Sequence, residues 1–301
     1  MNIIDITLNT LRFLLLTVPV IAVASYLVSY SINKGIMNCI SIKIEPFLRK
    51  LGLNQIIIAS IAVCFISPIA SYSILSQALR EGKISEREVI ATSFLNSFPA
   101  TFSHVYSFFI PFVIPVLGWT GFVYMCIRII VSVVKSFIGY VLALRIRGCG
   151  YVIGEEVRVR EYSSLKSLLK TLKSVIPLLA ITYLAVNLAF SYGIFENVER
   201  ILSFLPFDPN VITVAVTEFV NVRVAIVLSA GLIENGVLSQ KWTLIALILG
   251  NIITLSARSF KHSLPLHISL FGKFGLKLVA LNSAATFLLD LLVIFILLVF
   301  F

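Results

Sequence analysis

The chain has 301 residues, 59% of them hydrophobic and 13% charged, with a mean hydropathy of +1.03 and a formal net charge of +10. Apolar stretches that approach the ~20 residues needed to cross a bilayer leave no room for a soluble enzyme domain. The basic residues are scattered over short loops, which argues against nucleic-acid binding and fits the positive-inside rule and contact with anionic lipid.

Leu11 to Tyr30 reads as a first span. Ala22-Val23-Ala24 resembles a signal-peptide cleavage site. However, Asp5 offsets Arg12, and Pro19 and Tyr26 have counterparts in Pro177 and Tyr183 of a later segment, so a retained helix is expected. Segment 54–80 is apolar but interrupted by Ser67-Pro68, with basic residues at both flanks. Proline lacks the helical donor and disfavours helix at the residue before it. A re-entrant hairpin with its tip at Ser67-Pro68 is therefore expected. The next apolar block is broken by Asn96-Ser97-Phe98-Pro99-Ala100-Thr101, followed by Ser103 and His104, and predicts a helix unwound in mid-span. Trp119 to Leu144 closes the first half as a span that carries Arg128.

The polar stretch 145–173 is too short and too charged to hold a core. It carries seven Lys or Arg against Glu155, Glu156 and Glu161, and reads as a cytoplasmic connector. The spacing of Leu165, Leu168, Leu169 and Leu172 suits either an amphipathic helix on the membrane surface or an N-terminal extension of the next span. Val175 to Ser191 is that span. A second hairpin is expected over 210–233, with a polar tip from Glu218 to Arg223. A second break follows at Gly250-Asn251-Ile252-Ile253-Thr254, with Ser256 and Arg258 after it, and Leu276 to Phe301 is the last span, which holds Asp290. Cys39, Cys64, Cys126 and Cys149 show no CxxC spacing, so neither a metal site nor a disulfide framework is indicated.

These two series are copies. Residues 45–121 align without a gap on 199–275, an offset of 154, with twelve identities in 77 pairs. Five of the twelve are Gly82, Ser85, Pro111, Gly118 and Gly121, paired with Gly236, Ser239, Pro265, Gly272 and Gly275, and such residues fix turns. Matching loops differ in charge. Loop 33–52 has four Lys or Arg and its counterpart 195–209 has one; 80–88 has three and 234–241 one; 115–121 has none and 269–277 two. The bias changes sign along each half, which predicts halves that are upside down relative to each other. The expected architecture is an all-α polytopic membrane protein with two inverted repeats, 1–150 and 151–301, each a span, a re-entrant hairpin, a broken span and a span. Both termini lie outside, in the cell membrane.

The stretches Ile66-Ser67-Pro68 through Glu81-Gly82-Lys83-Ile84-Ser85 and Asn96-Ser97-Phe98-Pro99, with their second copy Glu218-Phe219-Val220-Asn221 through Glu234-Asn235-Gly236-Val237-Leu238-Ser239 and Gly250-Asn251, resemble the nucleoside-recognition or Gate superfamily. That group includes the core of concentrative nucleoside transporters, the membrane part of the ferrous-iron transport B protein and spore-maturation membrane proteins. The GTPase domain of the iron transporter has no counterpart, and no Walker-type loop occurs. The resemblance implies acidic and amide groups in the hairpins. Glu218 and Asn221 supply them in the second, while the first has Ser67 and Ser71 and no acid.

Intramembrane polar groups mark function by default. The candidate solute-binding residues are Ser67, Ser71, Asn96, Ser97, Thr101, His104, Glu218, Asn221, Arg223, Asn251, Thr254 and Arg258. Glu218 is expected to be buried against Arg223 or Arg258. Arg258 aligns with His104, whereas Arg128 falls on Asn282, so Arg128 and Asp290 read as structural charges or partners. The leading function is secondary transport of a polar or anionic small solute, nucleoside-like or phosphate-bearing. Its partners would be the solute, a coupling ion (H+ or Na+) and membrane lipids, and self-association is compatible with the pattern. No cofactor, metal or catalytic residue is expected: there is no HExxH, no paired aspartates in spans and no Ser/His pair at motif spacing. A non-transporting structural or signalling protein, and a lipid-acting intramembrane enzyme, are the alternatives.

Overall fold

The computed structural model describes residues 3–33, 52–146, 164–192, 208–258 and 263–300. The described residues are helical throughout and contain no strand, as an all-α polytopic membrane protein requires. In the first half α1 (Ile3–Asn33) precedes α2 (Gln55–Cys64), α3 (Pro68–Arg80), α4 (Glu86–Leu95), α5 (Ser97–His104), a π-helical stretch (Val105–Val113), α6 (Ile114–Leu117) and α7 (Trp119–Arg145). The second half has α8 (Ser164–Ser191), α9 (Pro209–Val220), α10 (Val222–Glu234), α11 (Gln240–Arg258), α12 (Leu264–Phe271) and α13 (Lys273–Phe300). Among the described residues, four stretches are long and apolar enough to cross a membrane: Ile6–Val23, Glu86–Leu117, Trp119–Arg145 and Lys273–Phe300. Phe137, Leu288 and Phe295 are exposed on α7 and α13, an outer face suited to lipid.

Both hairpins form. Ser67 is extended (φ −147°, ψ 105°), and its side chain accepts from the Ala70 N–H at the start of α3. At the equivalent position Asn221 is extended (φ −159°, ψ 116°), and its Oδ1 accepts from the N–H groups of Arg223 and Val224. In each case the helices on either side pack against each other. At 1.5 Å per residue, the ten-residue α2 is ~15 Å long, about half a hydrocarbon core of ~30 Å.

The turns repeat to the level of single hydrogen bonds. Lys83 donates to Ala78 O at 2.9 Å after α3, and Val237 donates to Leu232 O at 2.9 Å after α10. Gly118 (φ 57°, ψ −129°) and Gly272 (φ 61°, ψ −139°) occupy a region open only to glycine. Each donates to the carbonyl four residues back, at 2.8 Å. Contacts between the halves are partly reciprocal. Helix α3 meets α12, and α10 meets α6; likewise α4 meets α13, and α11 meets α7. The first spans depart from this pattern: α1 packs on the π-helical stretch, α8 packs on α10, and the two pack on each other, with Phe13 stacked on Tyr183 at 4.0 Å.

Two expectations are corrected. The second break does not form, because α11 runs continuously through Gly250 to Thr254. Glycine keeps its N–H and costs only ~1 kcal/mol in a helix interior, so it need not interrupt the ladder. The first break is also not an unwound stretch; it is a one-residue offset at Asn96 between α4 and α5. Of the two readings of the Leu165 to Leu172 spacing, the extension of the next span is the one seen, since these residues fall inside α8. Most of the connector, and loops 34–51 and 193–207, lie outside the described residues.

Candidate functional site

The offset at Asn96 follows from Pro99, which has no N–H to give to Leu95 O. Ser136 of α7 repairs it. Its hydroxyl donates to Leu95 O at 2.8 Å and accepts the Phe98 N–H at 2.9 Å. Removing a partner from buried backbone groups costs ~1–3 kcal/mol. Ser136→Ala should therefore lower the unfolding free energy by about that amount, and Ser136→Thr should restore most of it; chemical unfolding in detergent measures both.

Beside this offset lies a cavity of about 300 Å³ between the two halves. Asn96, Ser97 and Thr101 line one wall, with Ser93 of α4 and Tyr72 of α3. Arg128, Ser132 and Lys135 enter from α7, and Asn282, Ser283 and Thr286 from α13. His267 of α12 closes one side. Its Nδ1 lies 2.7 Å from Ser263 O, an acceptor only, so Nδ1 carries the hydrogen. The His267 ring also stands edge-on to Tyr72, with centroids 4.5 Å apart.

Behind the wall, Asn96 Nδ2 donates to Ser71 Oγ at 2.8 Å, and Ser71 Oγ lies 2.7 Å from Ser60 Oγ. The Asn96 Oδ1 atom is enclosed and has no hydrogen-bond partner among the described residues. Arg128 Nη1 bonds Asp290 Oδ1 at 2.7 Å, and Asn251 Nδ2 donates to Asp290 Oδ2 at 2.6 Å. Asp290 is 1% exposed, so this ion pair joins the two last spans inside the protein. Lys135 Nζ donates to Asn282 O at 3.1 Å and Thr286 Oγ1 at 3.0 Å.

The predicted residues divide. Asn96, Ser97 and Thr101 line the cavity; Ser71 stands one bond behind it, through Asn96, and Asn251 two, through Asp290 and Arg128. Ser67 and Asn221 cap their helices and lie outside its lining. Thr254 is buried and donates to Gly250 O, within its own helix. His104 is exposed. Glu218 is buried, as expected, but Arg223 is turned onto the Phe112 ring at 5.9 Å, and the ion pairs among the described residues do not join the two. The side chain of Arg258 lies outside the described residues. Glu218 packs on Gly250, where an added Cβ would come within 2.5 Å of Glu218 Oε2. Position 250 is the counterpart of Asn96, and position 64, the counterpart of Glu218, holds Cys64, whose Sγ lies 3.5 Å from Asn96 O. Sequence reasoning missed Lys135, Asn282 and Thr286, and read Arg128 as a structural charge or a partner, not as a cavity-lining residue. The available signal was a lysine in mid-span, a default functional hypothesis.

A family model described as Gate, nucleoside recognition, matches residues 14–140. An uncharacterized protein of Methanocaldococcus jannaschii is 41% identical over 279 residues, 89% of this chain and 88% of its own length. A second from the same organism is 30% identical, covering 85% of this chain and 88% of its own. A third is 23% identical over 96% of each. No solved structure matches significantly. With a family model over the first half and relatives covering nearly the whole length, the chain belongs to the nucleoside-recognition (Gate) family of membrane proteins.

Proposed function

We propose that the protein is a multi-pass secondary transporter of the cell membrane that moves a small polar solute by alternating access. The carrying observation is the position of the cavity: its walls come from α3, α4, α5 and α7 of one half and α12 and α13 of the other. A solute held there would be released to one side or the other as the halves rock, the behaviour expected of repeat-built transporters. The reciprocal contacts of α3 with α12 and α10 with α6, and the swap in loop charge, support halves related by inversion. Both termini then face outside, and H+ or Na+ would drive the solute.

Two measurements test this. With the four native cysteines replaced, Glu86→Cys and Gln240→Cys, at equivalent exposed positions, should label from opposite faces of sealed vesicles. Labelling from one face refutes inversion. Reconstituted protein should exchange a labelled solute across the bilayer. Tight binding without exchange would favour a receptor or structural role.

A further inference from the structure

Lys135 is 8% exposed and lines the cavity. An ammonium has three donors. Two go to the neutral acceptors Asn282 O and Thr286 Oγ1, and no carboxylate lies within ion-pair distance of Nζ among the described residues. Arg128 also lines the cavity, and its charge is balanced by Asp290. Among the described residues, the site therefore holds one buried positive charge in excess. A buried charge without a counter-charge is unfavourable, and a ligand of opposite sign removes the penalty.

We infer that the cavity binds a small oxyanion, a carboxylate or a phosphate, whose negative charge is matched by Lys135. This rests on the cavity being the solute site. At about 300 Å³ the volume is at the low end for small-molecule pockets, which favours a compact anion over a nucleotide. The remaining Lys135 donor meets the oxyanion, and the hydroxyls of Ser97 and Thr101, which also line the cavity, can donate to it; those of Ser132 and Thr286 and the Asn282 amide already donate to Ile129 O, to Asn282 O, and to Ser93 Oγ and Leu278 O.

The test is equilibrium binding to the full chain in detergent, with glycolate, inorganic phosphate and uridine as probes. Glycolate or phosphate should bind saturably and raise the melting temperature. Lys135→Gln keeps a donor for Asn282 and Thr286 but removes the charge; it should weaken that binding at least tenfold and melt, when empty, no lower than the wild type. Ser132→Leu, which fills the cavity without touching the Lys135 bonds, should abolish the same binding and serves if Lys135→Gln does not fold. Three results overturn the inference: uridine binding with neither anion binding, anion binding indifferent to both substitutions, or no binding of any probe. Lys135-dependent anion binding without exchange in vesicles supports the anion site and refutes transport. Uridine exchange without anion binding does the reverse.

Discussion

Arg128→Met should destabilise the protein by ~3–5 kcal/mol, because it removes the cation in contact with the Asp290 carboxylate and leaves the Asn251 amide as its hydrogen-bond donor among the described residues. The ion pair is the only polar bridge between the last spans that joins two full charges among the described residues. Desolvation of both groups has already been incurred, so losing one partner exposes the cost of the other. The double variant Arg128→Met with Asp290→Leu removes both charges and should recover most of the loss. Unfolding by denaturant in detergent measures both variants. A single-variant loss below ~1 kcal/mol would mean that water reaches the pair and that it behaves as a surface salt bridge.

Gly139→Val should also destabilise the protein, by a steric route. A Cβ at position 139 would sit 2.5 Å from Leu95 N and 2.8 Å from Ala91 O, both backbone atoms of α4. Backbone cannot turn away as a side-chain tip can, so α7 must separate from α4. Overpacking of this kind costs ~1–3 kcal/mol and occasionally more. The separation would also displace Ser136, three residues away, from the offset that it repairs. Loss of folded yield, or a melting temperature several degrees lower, is expected. Wild-type stability would show that the α4–α7 approach is looser than described.

The hairpins and turns were legible because their causes are local. Pro68 suits the first position of a helix, Ser67 and Asn221 are good cap residues, and Gly118 and Gly272 answer to their own φ and ψ. The site was less legible because its causes are distant. Lys135 and Thr286 are 151 residues apart, and Arg128 and Asp290 are 162 apart. An offset of 154 aligns neither pair, so the repeat does not point to them. Polar hairpin tips look like solute ligands in a sequence, yet their side chains bond the first N–H groups of the helices that follow. Gly250 looks like a break because a glycine that loosens a helix and one that admits a neighbour are the same letter. What distinguishes them is the residue opposite, here Glu218.

That last contact bears on how the two copies can diverge. At one level of the fold each half places a large polar side chain against a small residue, but from opposite partners: Asn96 against Cys64 in the first, Glu218 against Gly250 in the second. A single substitution toward the other arrangement leaves either a hole or a collision, so the two positions must change together. A lineage that loses the acid at 218 releases the glycine at 250, and one that gains a side chain at 250 must first give up the acid. The halves have become non-interchangeable parts, and a chain assembled from two first halves would have no acidic residue at this level on either side.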